Sequence, residues 1–292
     1  MTSLTLIPVT VGYLAIDRLN DAGNQQINVH SCFTNTMNLL LSDGELLILA
    51  SEHTGLNHPD TIIVSVPANW DWRCTGRAGI TFCDGIFSNP VWQMDIRHVK
   101  RWQQTDLYPL IMTETERKYT FLAEQLKVYS QRYPIKSAIM LLPDNMAKQV
   151  NRPLREVNIA IEDNEQQISQ LVDGLIGFGF GLTPDGDDYL LGYLAAISFL
   201  PQDIISRQRR ALTRIIISRL DRTNDISQHY LKRATEGHFS EAICQLLTHL
   251  SAPFSPSPLA AAATAVMRFG ASAGVDCPAG LLHGVRSSTR IS

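Results

Sequence analysis

The stretch Gly177-Phe-Gly-Phe-Gly-Leu-Thr-Pro-Asp-Gly-Asp-Asp-Tyr-Leu-Leu-Gly192 runs without a break into an apolar segment that continues to Leu200. Glycine tolerates positive φ and lets a ligand or another backbone come close, so Gly177, Gly179 and Gly181 predict an irregular, tightly turned loop. Thr183 followed by Pro184 is a helix-start signal, a hydroxyl to cap free N–H groups and then a proline at the first helical position. A glycine loop that empties into a helix N-terminus gathers unpaired N–H groups at the positive end of the dipole, which suits a small anion. The plainer alternative is that Asp185, Asp187 and Asp188 only complement that dipole, while the glycines only permit close packing. Both readings stay open on these residues alone.

Working outward, Asp163-x-x-Gln166 begins a helix with Ile168, Leu171, Val172 and Leu175 on one face, and it runs directly into the loop. The order is therefore helix, glycine loop, helix. A dinucleotide or P-loop site needs a strand before the loop, and no G-K-[ST] follows, so neither nucleotide reading is favoured. Upstream, the capping box Thr113-x-x-Glu116 precedes Tyr119, Leu122, Leu126 and Tyr129 at helical spacing, and Ile135 to Leu142 predicts one further strand.

Beyond Pro201 the pattern is helical throughout. Ile204 to Leu220 carries five arginines from Arg207 to Arg219, which read as a solvated face. Ile226 to Glu236 and Glu241 to Leu250 are separated by Gly237. Ser257-Pro258 starts an alanine-rich helix that reaches Met267. A second glycine loop follows, Gly270-Ala-Ser-Ala-Gly-Val-Asp-Cys-Pro-Ala-Gly280, and it echoes the first in placing a hydroxyl, a glycine and a carboxylate before an apolar segment. Ser272, Gly274 and Asp276 are its candidate ligand-binding residues. The expectation is that both loops face one pocket, Thr183 with Asp187 or Asp188 on one side and Ser272 with Asp276 on the other.

The first hundred residues have a different period. Leu4 to Ile16 is rich in β-branched residues and predicts a strand. Thr36 to Ser42, Asp43-Gly44 and Glu45 to Ala50 make a hairpin signal in which Asp-Gly suits a type I′ turn. Thr61 to Val66 and Arg77 to Phe82 predict two more strands, and Trp70, Trp72, Trp92 and Trp102 read as core and rim aromatics. The expected fold is α+β: a β-rich part over residues 1–110, as a mainly antiparallel sheet or small barrel, then a mainly helical part over 111–292 with both glycine loops.

Composition narrows the function classes. Charged residues are 18% of the 292, below the roughly 25% usual for soluble chains, which predicts a surface partly turned to a partner. A net charge of −3 without a polybasic run argues against nucleic acid and anionic membranes. The apolar run from Tyr189 to Leu200 is too short to span a bilayer. No signal-peptide pattern begins the chain, and five cysteines without a C-x-x-C pair suit reduced thiols, so the expected compartment is the cytoplasm.

No H-E-x-x-H or paired-cysteine pattern is present. Asp187 and Asp188 are the candidate catalytic residues. They have the chemistry to hold a Mg²⁺ that bridges a phosphate, although adjacent helical residues point about 100° apart and only one of them faces a ligand. His229 and His238 are too far apart in local spacing to share a metal. No metal site is predicted and no cofactor is specified.

The motif Gly179-Phe-Gly-Leu-Thr-Pro-Asp-Gly-Asp-Asp-Tyr-Leu-Leu-Gly192 resembles the signature G-x-G-L-T-P-[SD]-x-D-D-x-L-x-G of the AllH/YahE-like family. His30-Ser-Cys-Phe, Asp43-Gly44-Glu45-Leu and the second loop extend the likeness over most of the chain. The resemblance implies a subunit of an oxamate-carbamoyltransferase-like complex that binds carbamoyl phosphate or a 2-oxo acid amide at the two loops. It implies as partners an FdrA-like protein related to acyl-CoA synthetases and a third operon subunit. The alternative it leaves open is a non-catalytic assembly or ligand-binding subunit, and self-association is also expected. Two departures stand out: Asp185 where the family commonly has Ser, and Ala271 where its second motif has His.

Overall fold

The computed structural model describes residues 3–75, 79–106, 114–133, 137, 165–200, 202–270 and 273–288. The fold is α+β, a β-rich N-terminal barrel followed by a helical region. The chain divides into two compact units, Met1–Thr105 and Asp106–Ser292.

Among the described residues, nine strands build the first unit: β1 (Leu4–Gly12), β2 (Gln25–Cys32), β3 (Thr36–Leu40), β4 (Leu46–Ser51), β5 (Thr61–Ser65), β6 (Ile80–Cys83), β7 (Ile86–Ser88), β8 (Trp92–Asp95) and β9 (Lys100–Trp102). Their order is β5-β4-β3-β2-β6-β7-β8-β1-β9, and β1 also pairs with β5, which closes the barrel. β1 does this by dividing its length. Leu4 to Leu6 run parallel to Trp92 to Met94, and from Ile7 onward the strand pairs antiparallel with β5 across a register shift between Pro8 and Thr10. Such a shift bends and twists a strand, as closure requires. The sheet is mixed, with β1–β8, β1–β9 and β4–β5 parallel. The interior is filled by side chains such as Leu6, Met37, Leu49, Val64, Phe87, Trp92 and Met94.

Two local expectations need correction here. The strand predicted for Leu4 to Ile16 ends at Gly12, and helix α1 (Tyr13–Ala22) begins at once, with Ala15 and Leu19 buried in the barrel core. The β-branched run had masked a change of period. The Asp43-Gly44 hairpin forms between β3 and β4, but Asp43 keeps a negative φ and only Gly44 is left-handed, at φ 82°. The Gly44 N–H donates to the Leu41 carbonyl and the Leu41 N–H to the Glu45 carbonyl, a type I turn with a glycine bulge. The type I′ turn lies instead at Asp84-Gly85, with φ 48° and 79°, between β6 and β7. A short helix α2 (Trp72–Thr75) tucks Trp72 into the core, where its indole N–H donates to Ser51 Oγ at 3.0 Å.

The second unit holds α3 (Thr115–Arg132), α4 (Glu165–Leu175), α5 (Asp185–Ser198), α6 (Gln202–Ile217), α7 (Asp225–Glu236), α8 (Glu241–Ser251), α9 (Pro256–Met267) and α10 (Ala273–Ser288). The capping box at Thr113, the strand at Ile135 to Leu142 and the helix start at Asp163 fall outside the described residues. α7 starts on Asn224, whose side chain accepts from the Ile226 and Ser227 N–H groups, and it stops on a left-handed Gly237. α9 starts one turn-signal earlier than predicted, at Ser255-Pro256. The arginines of α6 are solvated as expected, with Arg207, Arg210 and Arg214 exposed; Arg214 pairs with Glu165, and Arg219, just past the helix, pairs with Asp173. α5 is buried on nearly all sides, and its main neighbour is α10. No helix among the described residues is long and apolar enough to cross a membrane.

Candidate functional site

The two helices α5 and α10 run parallel with their backbones almost touching. A Cβ at Gly192 would collide with the Cys277 carbonyl oxygen, one at Gly280 with the Tyr189 carbonyl oxygen, and one at Gly284 with the Ala196 side chain. These contacts advance together along both helices, so the two N-termini lie at the same end of the pair. Four buried carboxylates are the result: Asp185, Asp187 and Asp188 from the first turn of α5, and Asp276 from the first turn of α10. Two positive helix ends offset part of the repulsion among them.

The glycine loop is held from beneath. Gly177, Gly179 and Gly181 all have positive φ, at 70°, 110° and 96°. The Asp187 carboxylate is the main clamp: Oδ1 accepts the Gly177 N–H at 2.8 Å, and Oδ2 accepts the hydroxyls of Thr223 at 2.5 Å and Ser227 at 2.6 Å. Phe178 receives the Gly186 N–H on its carbonyl. Gly179 lies so close to α5 that a Cβ there would stand 2.6 Å from Asp185 Oδ2. By contrast, the N–H groups of Gly179, Phe180, Gly181 and Leu182 make no hydrogen bond among the described residues.

Thr183 does not cap the helix. The N-cap position belongs to Pro184, which makes no side-chain cap, and the helix starts at Asp185. Thr183 instead hydrogen-bonds the Asp188 side chain. Asp188 is 7% exposed, and its Oδ2 has no hydrogen-bond partner among the described residues. Burial, followed by the charges of Asp276, Asp187 and Asp185, raises its pKa well above the usual carboxylate range, against the lowering effect of Thr183.

Asp276 accepts the Ser137 hydroxyl on Oδ1 at 2.5 Å and hydrogen-bonds the Asp185 carboxyl, which requires one proton between the pair. Burial above all, with the Asp185 charge in support, pushes Asp276 up to about 8. Behind this cluster Tyr189 Oη and His283 Nδ1 lie 2.9 Å apart, and burial drives His283 down to about 3, so the ring is neutral.

Of the residues singled out in the sequence, the structure brings Gly179, Thr183, Asp187, Asp188 and Asp276 to one end of the α5–α10 pair. Gly177 is tied to Asp187, and Gly181 sits at the exposed tip of the loop. Gly274 is a packing glycine, since a Cβ there would run into the Met267 carbonyl oxygen. Ser272 and Ala271 lie outside the described residues. Ser137, Thr223 and Ser227 carried no motif and were not predicted. Only Asn224, a helix-cap residue between Thr223 and Ser227, marks the segment that holds those two to Asp187.

Two family models match the chain. One, described as the AllH family N-terminal domain, matches residues 9–101, and one described as oxamate carbamoyltransferase subunit AllH matches residues 175–285. No curated protein and no solved structure matches it. The second match spans the glycine loop, α5 and nearly all of α10, so it contains the whole carboxylate cluster among the described motif residues.

Proposed function

Because this chain belongs to the AllH family, we propose that it is a subunit of an oxamate-carbamoyltransferase-like complex and binds the small substrate at the shared end of α5 and α10. The observation that carries this reading is the division of that end into two chemistries. The loop from Gly179 to Leu182 offers consecutive N–H groups beside a helix N-terminus, which suits a carboxylate or phosphate. One turn further in, Asp188 offers a buried acceptor. Oxamate has a carboxylate at one end and an amide at the other, and carbamoyl phosphate pairs a phosphate with a carbamoyl –NH2.

Transfer forms a bond between the acceptor amide nitrogen and the carbamoyl carbon, breaks the carbon–oxygen bond to phosphate, and releases one N–H proton. In this reading the loop N–H groups hold the anionic end and stabilise developing charge. Asp188 accepts an N–H and orients the nitrogen, and Thr183 fixes the Asp188 rotamer. Asp187 holds the loop in place and does not touch the ligand, because both of its oxygens are already occupied.

The assembly half of the proposal has its own support. Phe180 is 85% exposed and Leu182 48%, side by side at the tip of a loop anchored at its base. Large apolar side chains on a rigid tip are typical interface anchors. The partners proposed are an FdrA-like protein and a third subunit. The test is reconstitution: this chain, the FdrA-like protein and the third subunit are mixed with carbamoyl phosphate and oxamate. Transfer that needs all three supports the reading, whereas full transfer without this chain removes it.

A further inference from the structure

Asp188 sits among acceptors. Asp185 and Asp187 flank it on α5, Asp276 faces it from α10, and all three charges act on it. Its Oδ2 is buried and meets no hydroxyl or N–H group among the described residues. A buried carboxylate oxygen left without a donor is costly, and in native structures such groups are usually completed by something. The protein supplies that donor to Asp187 three times over, and to the other side of Asp188 once, through Thr183. Burial and the neighbouring carboxylates favour a proton on Asp188, and a ligand N–H at Oδ2 is the donor that would stabilise its ionised form in place of that proton.

We propose that Asp188 is the specificity-determining residue of the site: its Oδ2 accepts an N–H of the ligand's amide or carbamoyl –NH2 while the loop takes the oxyanion. The inference rests on the anion-site reading above and deepens it by naming what selects an amide over an acid or a ketone. A site built to hydrogen-bond one substrate group rejects an analogue that lacks it, because the site's own polar atom is then stranded. Thr183 is a positioning residue in this scheme, holding the carboxylate so that Oδ2 stays open to the ligand.

Oxamate, pyruvate and oxalate share a carboxylate next to a carbonyl and differ in one substituent, –NH2, –CH3 or –O⁻. Calorimetric titration of the full chain with each reads the choice directly. The expected order is oxamate first, pyruvate weaker by about tenfold or more for the lost hydrogen bond, and oxalate weakest. Asp188→Asn replaces the acceptor with an amide that also donates, and it should erase or reverse the preference for oxamate over oxalate. Thr183→Val leaves the buried carboxylate in place and should shrink the preference without abolishing anion binding. Equal binding of all three by the natural chain overturns this inference and leaves the anion site standing. Binding of none removes the anion site and the inference with it. A preference that persists in Asp188→Asn, or oxamate binding that appears only with added Mg²⁺ and matches pyruvate, also overturns it.

Discussion

The Asp187 carboxylate accepts the Gly177 N–H at 2.8 Å, ten residues back along the chain. With Thr223 and Ser227 on its other oxygen, this one side chain ties the end of α4, the glycine loop, the start of α5 and the start of α7 together. Sequence alone placed Asp187 beside Asp188 as an equal candidate for chemistry. The two neighbours point to different surroundings, one saturated with donors and one with an open oxygen.

Asp187→Ala should therefore act through stability. Loss of a buried acceptor strands one N–H and two hydroxyls, which costs about 2–4 kcal/mol. Asp187→Asn keeps one acceptor oxygen and should cost less. Urea unfolding of the three proteins checks this, and a stable Asp187→Ala variant would show that the clamp is dispensable.

The Asp276 shift predicts a pH dependence with a definite sign. Its folded pKa, about 8, is above the ordinary value, so the folded chain holds a proton that the unfolded chain releases. That contribution to stability is fully present below about pH 4 and is lost as pH rises toward 8, at up to about 1.4 kcal/mol per pH unit. Asp276→Asn should flatten the slope and be more stable than the natural chain at pH 8.5. Asp185→Ser, which restores the residue common in the family, should lower the Asp276 pKa and flatten it in part. Unfolding curves at pH 5 and 8.5 decide, and parallel slopes in all variants would contradict the assignment.

The α5–α10 contact should be intolerant of any side chain at its centre. Gly280→Ala puts a methyl group against the Tyr189 carbonyl, and separating two packed helices to make room should cost at least about 1–3 kcal/mol. Thermal unfolding reads this, and a Tm equal to that of the natural chain would mean the two backbones are not in contact.

Phe180→Ser should leave the fold unchanged, because the side chain is 85% exposed. The same change should weaken assembly with the FdrA-like protein, measured by sizing of the reconstituted mixture. Undiminished assembly would place the interface elsewhere.

The sequence made the two-part architecture and the glycine loop legible because both rest on local signals, hydrophobic period and Gly, Pro and Asp spacing. It erred where two local signals competed. Asp43-Gly44 and Asp84-Gly85 are the same dipeptide, and the length of chain each must span decides which one adopts the type I′ turn. Thr183-Pro184 reads as a cap, but a buried carboxylate five residues on competes for the same hydroxyl and wins. The most consequential contacts were illegible because they are distant in sequence: Ser137 reaches Asp276 across 139 positions. The second loop was expected to face the first, and the structure shows why the carboxylates meet. Gly192, Gly280 and Gly284 are the residues that allow two parallel helices to start side by side.

The most direct test of the account is carbamoyl transfer from carbamoyl phosphate to oxamate by the reconstituted complex, compared between the natural chain and Asp188→Asn. The account predicts a fall in kcat/KM of about 100-fold or more, as for loss of a group that orients the reacting nitrogen, with the complex still assembled by sizing. An assembled complex that carries Asp188→Asn and transfers at the natural rate would contradict it.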